Sequence, residues 1–223
     1  MRTATFSDSA SEVEGRAYAG RSAAERDAER REKLKAASLE MIGTQGYVAT
    51  TVERICSQAG VSTRHFYQLY ETKEDAFVDV YRDLMAESFQ HALAAFGDDN
   101  ERPMAERVAA AFVAYLGPMF ADPRVARLAF VEIMGVSPRV EELRISFRER
   151  LIELVEREGR AAVKRGEIER RDFRFAALAL VGAANATVYD WMSKPSRPTN
   201  SAMESALANL AITLLVAPPR RNQ

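Results

Sequence analysis

The chain has 223 residues, of which 47% are hydrophobic and 28% are charged, and its formal net charge is −1. This balance is ordinary for a globular protein with a buried core, and it excludes a disordered chain or a protein that binds nucleic acid through bulk positive charge. The single cysteine, Cys56, cannot form an internal disulfide, and the sequence has no secretory leader and no unbroken run of about 18 apolar residues. We therefore expect a cytoplasmic protein with no membrane partner.

The first 21 residues mix small and charged residues without apolar periodicity, which predicts a flexible extension. Beyond this extension, apolar residues recur at three-four spacing, as in helices, and no stretch alternates as a strand does. A hydroxyl residue followed three positions later by an acid is typical of a helix start. Such pairs are Ser22 with Glu25, Thr50 with Glu53, Thr72 with Asp75, and Ser201 with Glu204.

Three further helix starts are predicted in the second half of the chain. Asp122 and Ser137 each precede a proline, and a capping residue followed by proline is common at helix starts. Asp172 is predicted to cap another helix that runs to Met192. The sequence therefore predicts an all-α fold of about nine helices. Its expected parts are a flexible extension over 1–21, a three-helix domain over 22–76, a larger helical domain over 77–217 and a tail over 218–223.

The segment around Gly60 has the pattern of a helix-turn-helix. Val52 and Ile55 give the first short helix an apolar face, Gly60 allows a sharp turn, and Val61 fills the angle between the helices. Ser62 is predicted to cap the second helix, from which polar residues then point outward. A short exposed second helix of this kind enters the DNA major groove. Its outward residues are Thr63, Arg64, His65, Tyr67 and Gln68.

The run LKAASLEMIGTQGYVATTVERICSQAGVSTRHFYQLYETKEDAFVDVY, from Leu34 to Tyr81, resembles the N-terminal domain of the tetracycline-repressor (TetR) family of transcription regulators. It has the Gly-Tyr turn, the Thr-Thr pair, the helix-turn-helix and the Lys-Glu helix start of that family. The resemblance implies that Thr51, Tyr67 and Lys73 contact DNA phosphates and that residues 63–65 lie where bases are read. The predicted DNA-contacting residues are Thr51, Ser62, Thr63, Arg64, His65, Tyr67 and Lys73.

The chain departs from the family pattern at two positions, with Arg64 where glycine is frequent and Leu69 where histidine is frequent. Arg64 either binds guanine, which is worth about 1–3 kcal/mol of discrimination, or is a solvated charge. Tyr67 either contacts DNA or packs, and His65 has no single favoured role. Cys56 is expected to be a buried packing thiol. The arginines of the extension either reach an adjacent groove or lie in a solvated tail, and they are Arg2, Arg16 and Arg21.

The two C-terminal helices, FRFAALALVGAANATVYDWM and AMESALANLAITLLVA, are apolar on more than one face. Such helices either are buried in the core or also pack across a two-fold axis. The family resemblance implies the second arrangement, a homodimer through a four-helix bundle.

The resemblance also implies a pocket for a small-molecule effector among the middle helices, over about residues 102–166. Aromatic and methionine side chains suit a hydrophobic effector, although any core uses the same residues. Glu132 and Asn185 need polar partners, which are a ligand, an internal hydrogen bond or a dimer contact. The candidate lining residues are Phe112, Tyr115, Met119, Phe130, Glu132, Met134, Phe147, Asn185 and Tyr189.

The sequence predicts a homodimeric regulator that acts as a repressor and leaves a palindromic double-stranded DNA operator when the effector binds. The helix from Lys73 to Phe96 is expected to carry the conformational change between the two domains. No cofactor is predicted. With only His65 and His91, and without a phosphate loop, a nucleophile elbow or a zinc motif, the sequence excludes the common enzyme classes. The alternative is a helical interaction module that keeps the helix-turn-helix as a scaffold without binding DNA, and repression versus activation stays open.

Overall fold

The computed structural model describes residues 22–97, 102–193 and 199–218. The predicted extension over 1–21 and residues 219–223 of the predicted tail lie outside this part. The described residues form nine α-helices and one π-helical segment and contain no strand, which confirms the all-α fold. The elements are α1 (Ala23–Gln45), α2 (Val52–Ala59), α3 (Thr63–Leu69), α4 (Lys73–Phe96), α5 (Met104–Ala121), α6 (Pro123–Arg127), the π-helical segment (Leu128–Glu132), α7 (Pro138–Lys164), α8 (Phe173–Ser193) and α9 (Asn200–Leu215).

Most helices begin where a side chain caps them as the sequence predicts. The predicted capping boxes at Ser22 and Thr72 both form, at the starts of α1 and α4. Asp122 caps α6, and Ser137 caps α7, each just before its proline. Asp172 accepts a hydrogen bond from the backbone of the first turn of α8. These caps satisfy backbone N–H groups that the helix cannot pair itself.

Two helix starts differ from the prediction. The hydroxyl of Thr50 is buried and donates to the carbonyl oxygen of Gly46 at 2.8 Å, so it closes the preceding turn instead of capping α2. Thr51 caps α2, with its side chain accepting from the backbone N–H of Arg54. The last helix begins before Ser201, because Thr199 caps it. In both places two hydroxyl residues lie close together, and the one without an acid three positions later is the cap.

The first three helices enclose a small hydrophobic core of their own. Leu34 of α1, Ile55 of α2 and Phe66 of α3 are fully buried at its centre. Gly60 ends α2 in the left-handed conformation, with φ of 63°, and Val61 fills the angle between α2 and α3 as predicted. Because glycine adopts this conformation without strain, the turn between the helices can be sharp. Cys56 belongs to the same buried cluster.

The remaining helices enclose a larger core that begins on α4. Helix α5 packs against both α4 and α9, while α8 packs against α7 and α9. The centre of this core includes Phe77 of α4, Leu128 of the π-helical segment and Val188 of α8. Helix α4 therefore belongs to both cores, and the predicted boundary at residues 76 and 77 falls inside it. None of the described helices is both long enough and apolar enough to cross a membrane.

Helix α1 also lies directly on the larger core through its C-terminal half. A Cβ atom placed on Gly43 would come within 2.5 Å of Cβ of Arg124 on α6, so the two helices approach at backbone distance. Ile42 and Tyr47 pack into the larger core beside Phe77. Arg124 adds an ion pair with Glu40 of α1. The first helix is thus fixed against α6 as well as against α2 and α3.

A polar network ties α1, α3 and α4 together beneath the helix-turn-helix. Asp79 on α4 accepts hydrogen bonds from the hydroxyl of Tyr70 at 2.7 Å and from Arg31 at 3.0 Å. The Arg31 guanidinium also lies over the Tyr70 ring, 5.1 Å from its centroid. Partial burial acts to raise the pKa of Asp79, but these hydrogen bonds outweigh it and hold the pKa below its ordinary value.

We expect Asp79→Asn to lower the free energy of unfolding by about 1–2 kcal/mol at neutral pH, because Tyr70 and Arg31 lose a charged acceptor. A lowered folded-state pKa means that the ionised Asp79 stabilises the fold above the unfolded-state pKa of about 3.9 and stops doing so as the pH falls through the folded-state pKa. The difference between variant and wild type should therefore be constant above about pH 5 and shrink below about pH 4. Urea unfolding across this range measures it. Asp83→Asn removes an exposed carboxylate that pairs with Lys35 and is the control; a difference for Asp79→Asn that is independent of pH contradicts the assignment.

Candidate DNA interface and ligand cavities

Helix α3 presents a polar face to solvent above the small core. Ser62 caps it by accepting from the backbone N–H of His65 at 3.3 Å, and the same hydroxyl lies 2.9 Å from Nδ1 of His65. Thr63 and Arg64 are exposed in its first turn. Tyr67 is 57% exposed, while its ring meets the buried Phe66 ring edge to face at 5.4 Å. Of the predicted side chains on this helix, only His65 is half-buried, because it folds back onto its cap.

Two more of the predicted DNA-contacting residues, Thr51 and Lys73, lie at the turn between α1 and α2. Thr51 is exposed at the start of α2. Lys73, by contrast, turns inward: Nζ donates to the carbonyl oxygens of Tyr47 and Thr50, both at 2.7 Å, and lies 4.0 Å from the centroid of the Tyr47 ring. Burial lowers the pKa of Lys73. Val48, which sequence reasoning did not select, is 93% exposed on the same turn.

A cleft of about 580 Å³ opens between α5, the π-helical segment, α7 and α8. Its walls are mostly apolar, and the polar residues that line it include Asn185 and Tyr189. The hydroxyl of Tyr115 is buried and faces Sδ of Met85 at 3.8 Å, and burial raises its pKa well above the ordinary value, so it stays a neutral group. Seven of the nine candidate lining residues meet here: Phe112, Tyr115, Met119, Phe130, Met134, Asn185 and Tyr189.

Two of the predicted lining residues lie elsewhere. The carboxylate of Glu132 points away from the cleft and accepts from the backbone N–H of Tyr47 at 2.8 Å and from Nε of Arg127 at 2.9 Å. This is the internal hydrogen bond that the sequence left open as an alternative. Phe147 is buried in the larger core, where its ring packs edge to face on Tyr81 at 5.7 Å and stacks on Phe89 at 6.4 Å. Aromatic packing holds Phe147 below the cleft wall.

The cleft also contains two arginines that sequence reasoning missed. Arg144 and Arg148 lie one helical turn apart on α7, and both line the cleft. Arg144 pairs with Glu141 at 2.6 Å, whereas Arg148 reaches Glu149 only at 3.6 Å and its buried Nε has no hydrogen-bond partner among the described residues. The spacing of Arg144, Arg148 and Leu151 at positions i, i+4 and i+7 could have indicated that these arginines line the cleft, because such residues share one helix face.

A second, smaller cavity adjoins the cleft and lies against a third buried cluster, which includes Val108 of α5, Leu180 of α8 and Leu215 of α9. The two share four lining residues, Phe112, Tyr115, Leu151 and Val181. The remaining wall of the second cavity is almost entirely apolar, with Glu158 as its single charged residue among those described. The combined space is therefore mostly apolar, and two guanidinium groups line the cleft part of it. An apolar interior with a few convergent polar groups is typical of small-molecule sites.

Comparison with known proteins places the small domain in a family. Residues 34–80 match the model of bacterial regulatory proteins of the tetR family. A relative, the fatty acid metabolism regulator protein of Bacillus subtilis (strain 168), is 22% identical over 183 residues, which cover 79% of this chain and 91% of that protein.

Solved structures share the fold over most of the chain. The fatty acid degradation regulator FadR from Bacillus halodurans superimposes with a TM-score of 0.75 at 16% identity, covering 87% of this chain and 97% of that one. The transcriptional regulator FadR from Bacillus subtilis, solved in complex with stearoyl-CoA, gives a TM-score of 0.73 at 18% identity and covers 82% and 97% of the two chains. At these identities the likeness concerns the fold. Together, the comparisons show that residues 34–80 form a regulatory domain of the tetR type and that the chain shares the fold of these regulators.

Proposed function

We propose that this protein is a homodimeric repressor that releases a two-fold symmetric DNA operator when a long-chain acyl compound with an anionic head group binds. In this proposal residues 22–76 read DNA, and residues 77–217 bind the acyl compound and the second subunit. The observation that carries the proposal is the pairing of an exposed, polar α3 with a mostly apolar cavity that two arginines line.

The exposed face of α3 supports the DNA-reading role. Thr63 and Arg64 lie in the first turn, the part of a recognition helix that contacts base edges, and Ser62 and His65 flank them. Tyr67 and Thr51 are exposed beside them, where the phosphate backbone would pass. Two N–H groups of the Lys73 ammonium hold the turn, which leaves a third for a phosphate oxygen.

The surface of α8 supports the dimer. Phe175 and Leu178 are 69% and 38% exposed, and with Gly182, Ala186 and Tyr189 they form one stripe at three-four spacing along the helix. Exposed apolar residues that continue along one helix face are typical of protein interfaces. Glycine and alanine in the middle of the stripe allow a second helix to approach closely, and a two-fold axis brings the same stripe of each subunit together.

The combined cavity supports an acyl ligand. A long hydrocarbon chain fits walls made of Leu, Val, Phe and Met side chains, because its burial removes apolar surface from water. The guanidinium groups of Arg144 and Arg148 in the cleft suit a phosphate or carboxylate head. The relative from Bacillus subtilis is named a fatty acid metabolism regulator, and the FadR of that organism was solved with stearoyl-CoA. This chemistry makes stearoyl-CoA the probe of choice.

Selection of bound duplexes from a random DNA pool tests the proposal and yields the operator. The expected product is a two-fold symmetric sequence whose half-sites lie about 34–36 Å apart, and its affinity should fall steeply with salt. Binding that does not change with salt would instead favour a scaffold that does not read DNA.

On the selected operator, Arg64→Ala is expected to cost about 1–3 kcal/mol of binding free energy and to relax specificity at one base pair of each half-site, because a bidentate contact to a base edge is lost. Titration of matched and single-mismatch duplexes measures both effects. Arg82→Ala, an exposed arginine on α4, is the matched control and should change neither. A uniform loss over all duplexes would assign Arg64 to the phosphate backbone instead.

A further inference from the structure

A carboxylate next to the wall of the ligand cleft contacts the turn that precedes the helix-turn-helix. Phe130 and Val131 of the π-helical segment line the cleft, and the next residue, Glu132, points the opposite way. There its Oε2 accepts from the backbone N–H of Tyr47 at 2.8 Å, on the turn between α1 and α2. One short segment therefore contacts the ligand space on one side and the DNA-binding part on the other.

Arg127 strengthens this junction. Its Nε donates to Oε1 of Glu132 at 2.9 Å, and its Nη1 donates to the carbonyl oxygen of Thr44 at the end of α1 at 2.8 Å. Gly46 lies against both side chains: an added Cβ would come within 3.2 Å of the carboxylate and 3.3 Å of the guanidinium, and its φ of 92° favours glycine. The charged pair thus lies in contact with the backbone of the turn. We call Arg127, Glu132 and the turn residues 44–47 the latch.

The latch holds the segment that positions α2. The backbone of this segment is bound at Tyr47 N–H by Glu132, while Lys73 binds the carbonyl oxygens of Tyr47 and Thr50 from the side of α4. Thr51, directly after it, caps α2. Any displacement of the Tyr47 backbone therefore moves the start of α2, and α3 follows because the two helices share one core.

The π-helical segment gives the latch a part that can change. Its wider turn is closed by a hydrogen bond from the backbone N–H of Ile133 to the carbonyl oxygen of Leu128 at 3.2 Å. Segments of this kind are rare and occur often at functional sites, since a shift to the ordinary α-helical pattern rotates the residues that follow. A side chain or ligand that displaces Phe130 and Val131 would therefore change the direction in which the Glu132 side chain points.

We propose that Glu132 is the positioning residue through which ligand binding in the cleft weakens operator binding: the ligand displaces the π-helical segment, Glu132 releases the Tyr47 backbone, and α2 and α3 leave their DNA-binding arrangement. This inference rests on the proposed function and specifies its regulation. It adds a route from cavity to DNA that does not pass along α4. In two-state terms, the ligand binds better to the open latch and the operator binds better to the closed one.

The test compares wild type with Glu132→Ala, which removes both hydrogen bonds, and with Arg127→Gln, which keeps the bond to Tyr47 but removes the cation. Glu142→Ala changes the same charge at an exposed position of α7 outside the latch and is the matched control. Each variant is checked for folding by circular dichroism. Three quantities are then measured: the Kd for the selected operator with and without stearoyl-CoA, the Kd for stearoyl-CoA itself, and the hydrogen exchange rate of the Tyr47 amide.

In wild type, saturating stearoyl-CoA should raise the operator Kd by about 5–150-fold, the usual range of coupling between sites. Glu132→Ala should bind the operator at least about fivefold more weakly than wild type without ligand, respond little to ligand, and exchange the Tyr47 amide faster, because the latch is already open. Its Kd for stearoyl-CoA should not rise, and Arg127→Gln should show the same changes in smaller measure.

Two results separate the latch from the proposed function. If stearoyl-CoA neither binds wild type nor changes its operator affinity, the proposed function is wrong as to its ligand, while weaker operator binding and faster Tyr47 exchange in ligand-free Glu132→Ala still support the latch. If ligand-free Glu132→Ala matches wild type in operator Kd and in the exchange rate of the Tyr47 amide, the proposed role of the latch is overturned. It is also overturned if stearoyl-CoA weakens operator binding by Glu132→Ala as much as it weakens binding by wild type.

Discussion

Replacing Phe175 and Leu178 together by glutamate is expected to give a monomer whose affinity for the operator is at least about 100-fold lower than that of wild type. The two exposed side chains lie on the apolar stripe of α8 and, in the proposed dimer, meet the same stripe of the second subunit. Four carboxylates would then face one another across the two-fold axis without partners, and buried unpaired charges are strongly unfavourable. A single α3 can occupy only one half-site, so the gain from binding two linked half-sites is lost.

Sedimentation measures the mass, and operator titration measures the affinity. Ile145→Glu places the same charge at an exposed aliphatic position on α7 and should leave both quantities at their wild-type values. If the doubly substituted chain stays dimeric, the interface is on another face of the molecule, and the small residues along α8 need a different explanation.

The second large effect is expected at the two arginines that line the ligand cleft. Arg144→Gln with Arg148→Gln should weaken stearoyl-CoA binding by more than tenfold, because hydrogen bonds to charged groups contribute about 1.5–3 kcal/mol. The buried Nε of Arg148, which has no hydrogen-bond partner in the described part of the chain, is the group that we expect a head-group oxygen to satisfy. Calorimetric titration gives the Kd directly.

A neutral ligand of the same length separates the roles of head and chain. Stearamide should bind the double variant and wild type with similar affinity, since its head carries no charge for the arginines to bind. Arg157→Gln, an exposed arginine further along α7, is the control and should leave both affinities unchanged. An equal loss of affinity for both ligands in the double variant would mean that the arginines shape the cavity rather than bind the anion.

The helix starts illustrate what local sequence determines. Ser22, Thr72, Asp122 and Ser137 cap the helices predicted for them, because a cap depends on a few adjacent residues. Where two hydroxyl residues compete, local pattern does not decide. The hydroxyl of Thr50 binds the carbonyl oxygen of Gly46, in a turn whose Tyr47 packs on the larger core, and that packing joins residues far apart in the chain.

The ligand cavities show the limit of the same reasoning. The sequence indicates that Glu132 needs a polar partner. Its partners, Tyr47 and Arg127, become evident only when α1 and the π-helical segment are placed together. Phe147 is aromatic, as residues that line a ligand cavity often are, but its ring packs in the larger core. Arg144 and Arg148 lie in a helix rich in exposed charges, where periodicity alone does not distinguish a charge that faces a cleft from one that faces solvent.

The most direct test of the whole account is an operator titration of the wild-type protein, done once alone and once with saturating stearoyl-CoA. We expect one dimer per two-fold symmetric site and a Kd that rises by about 5–150-fold when the ligand is present. One chain per site, or an operator affinity that stearoyl-CoA leaves unchanged although it occupies the cavity, would contradict the proposed function.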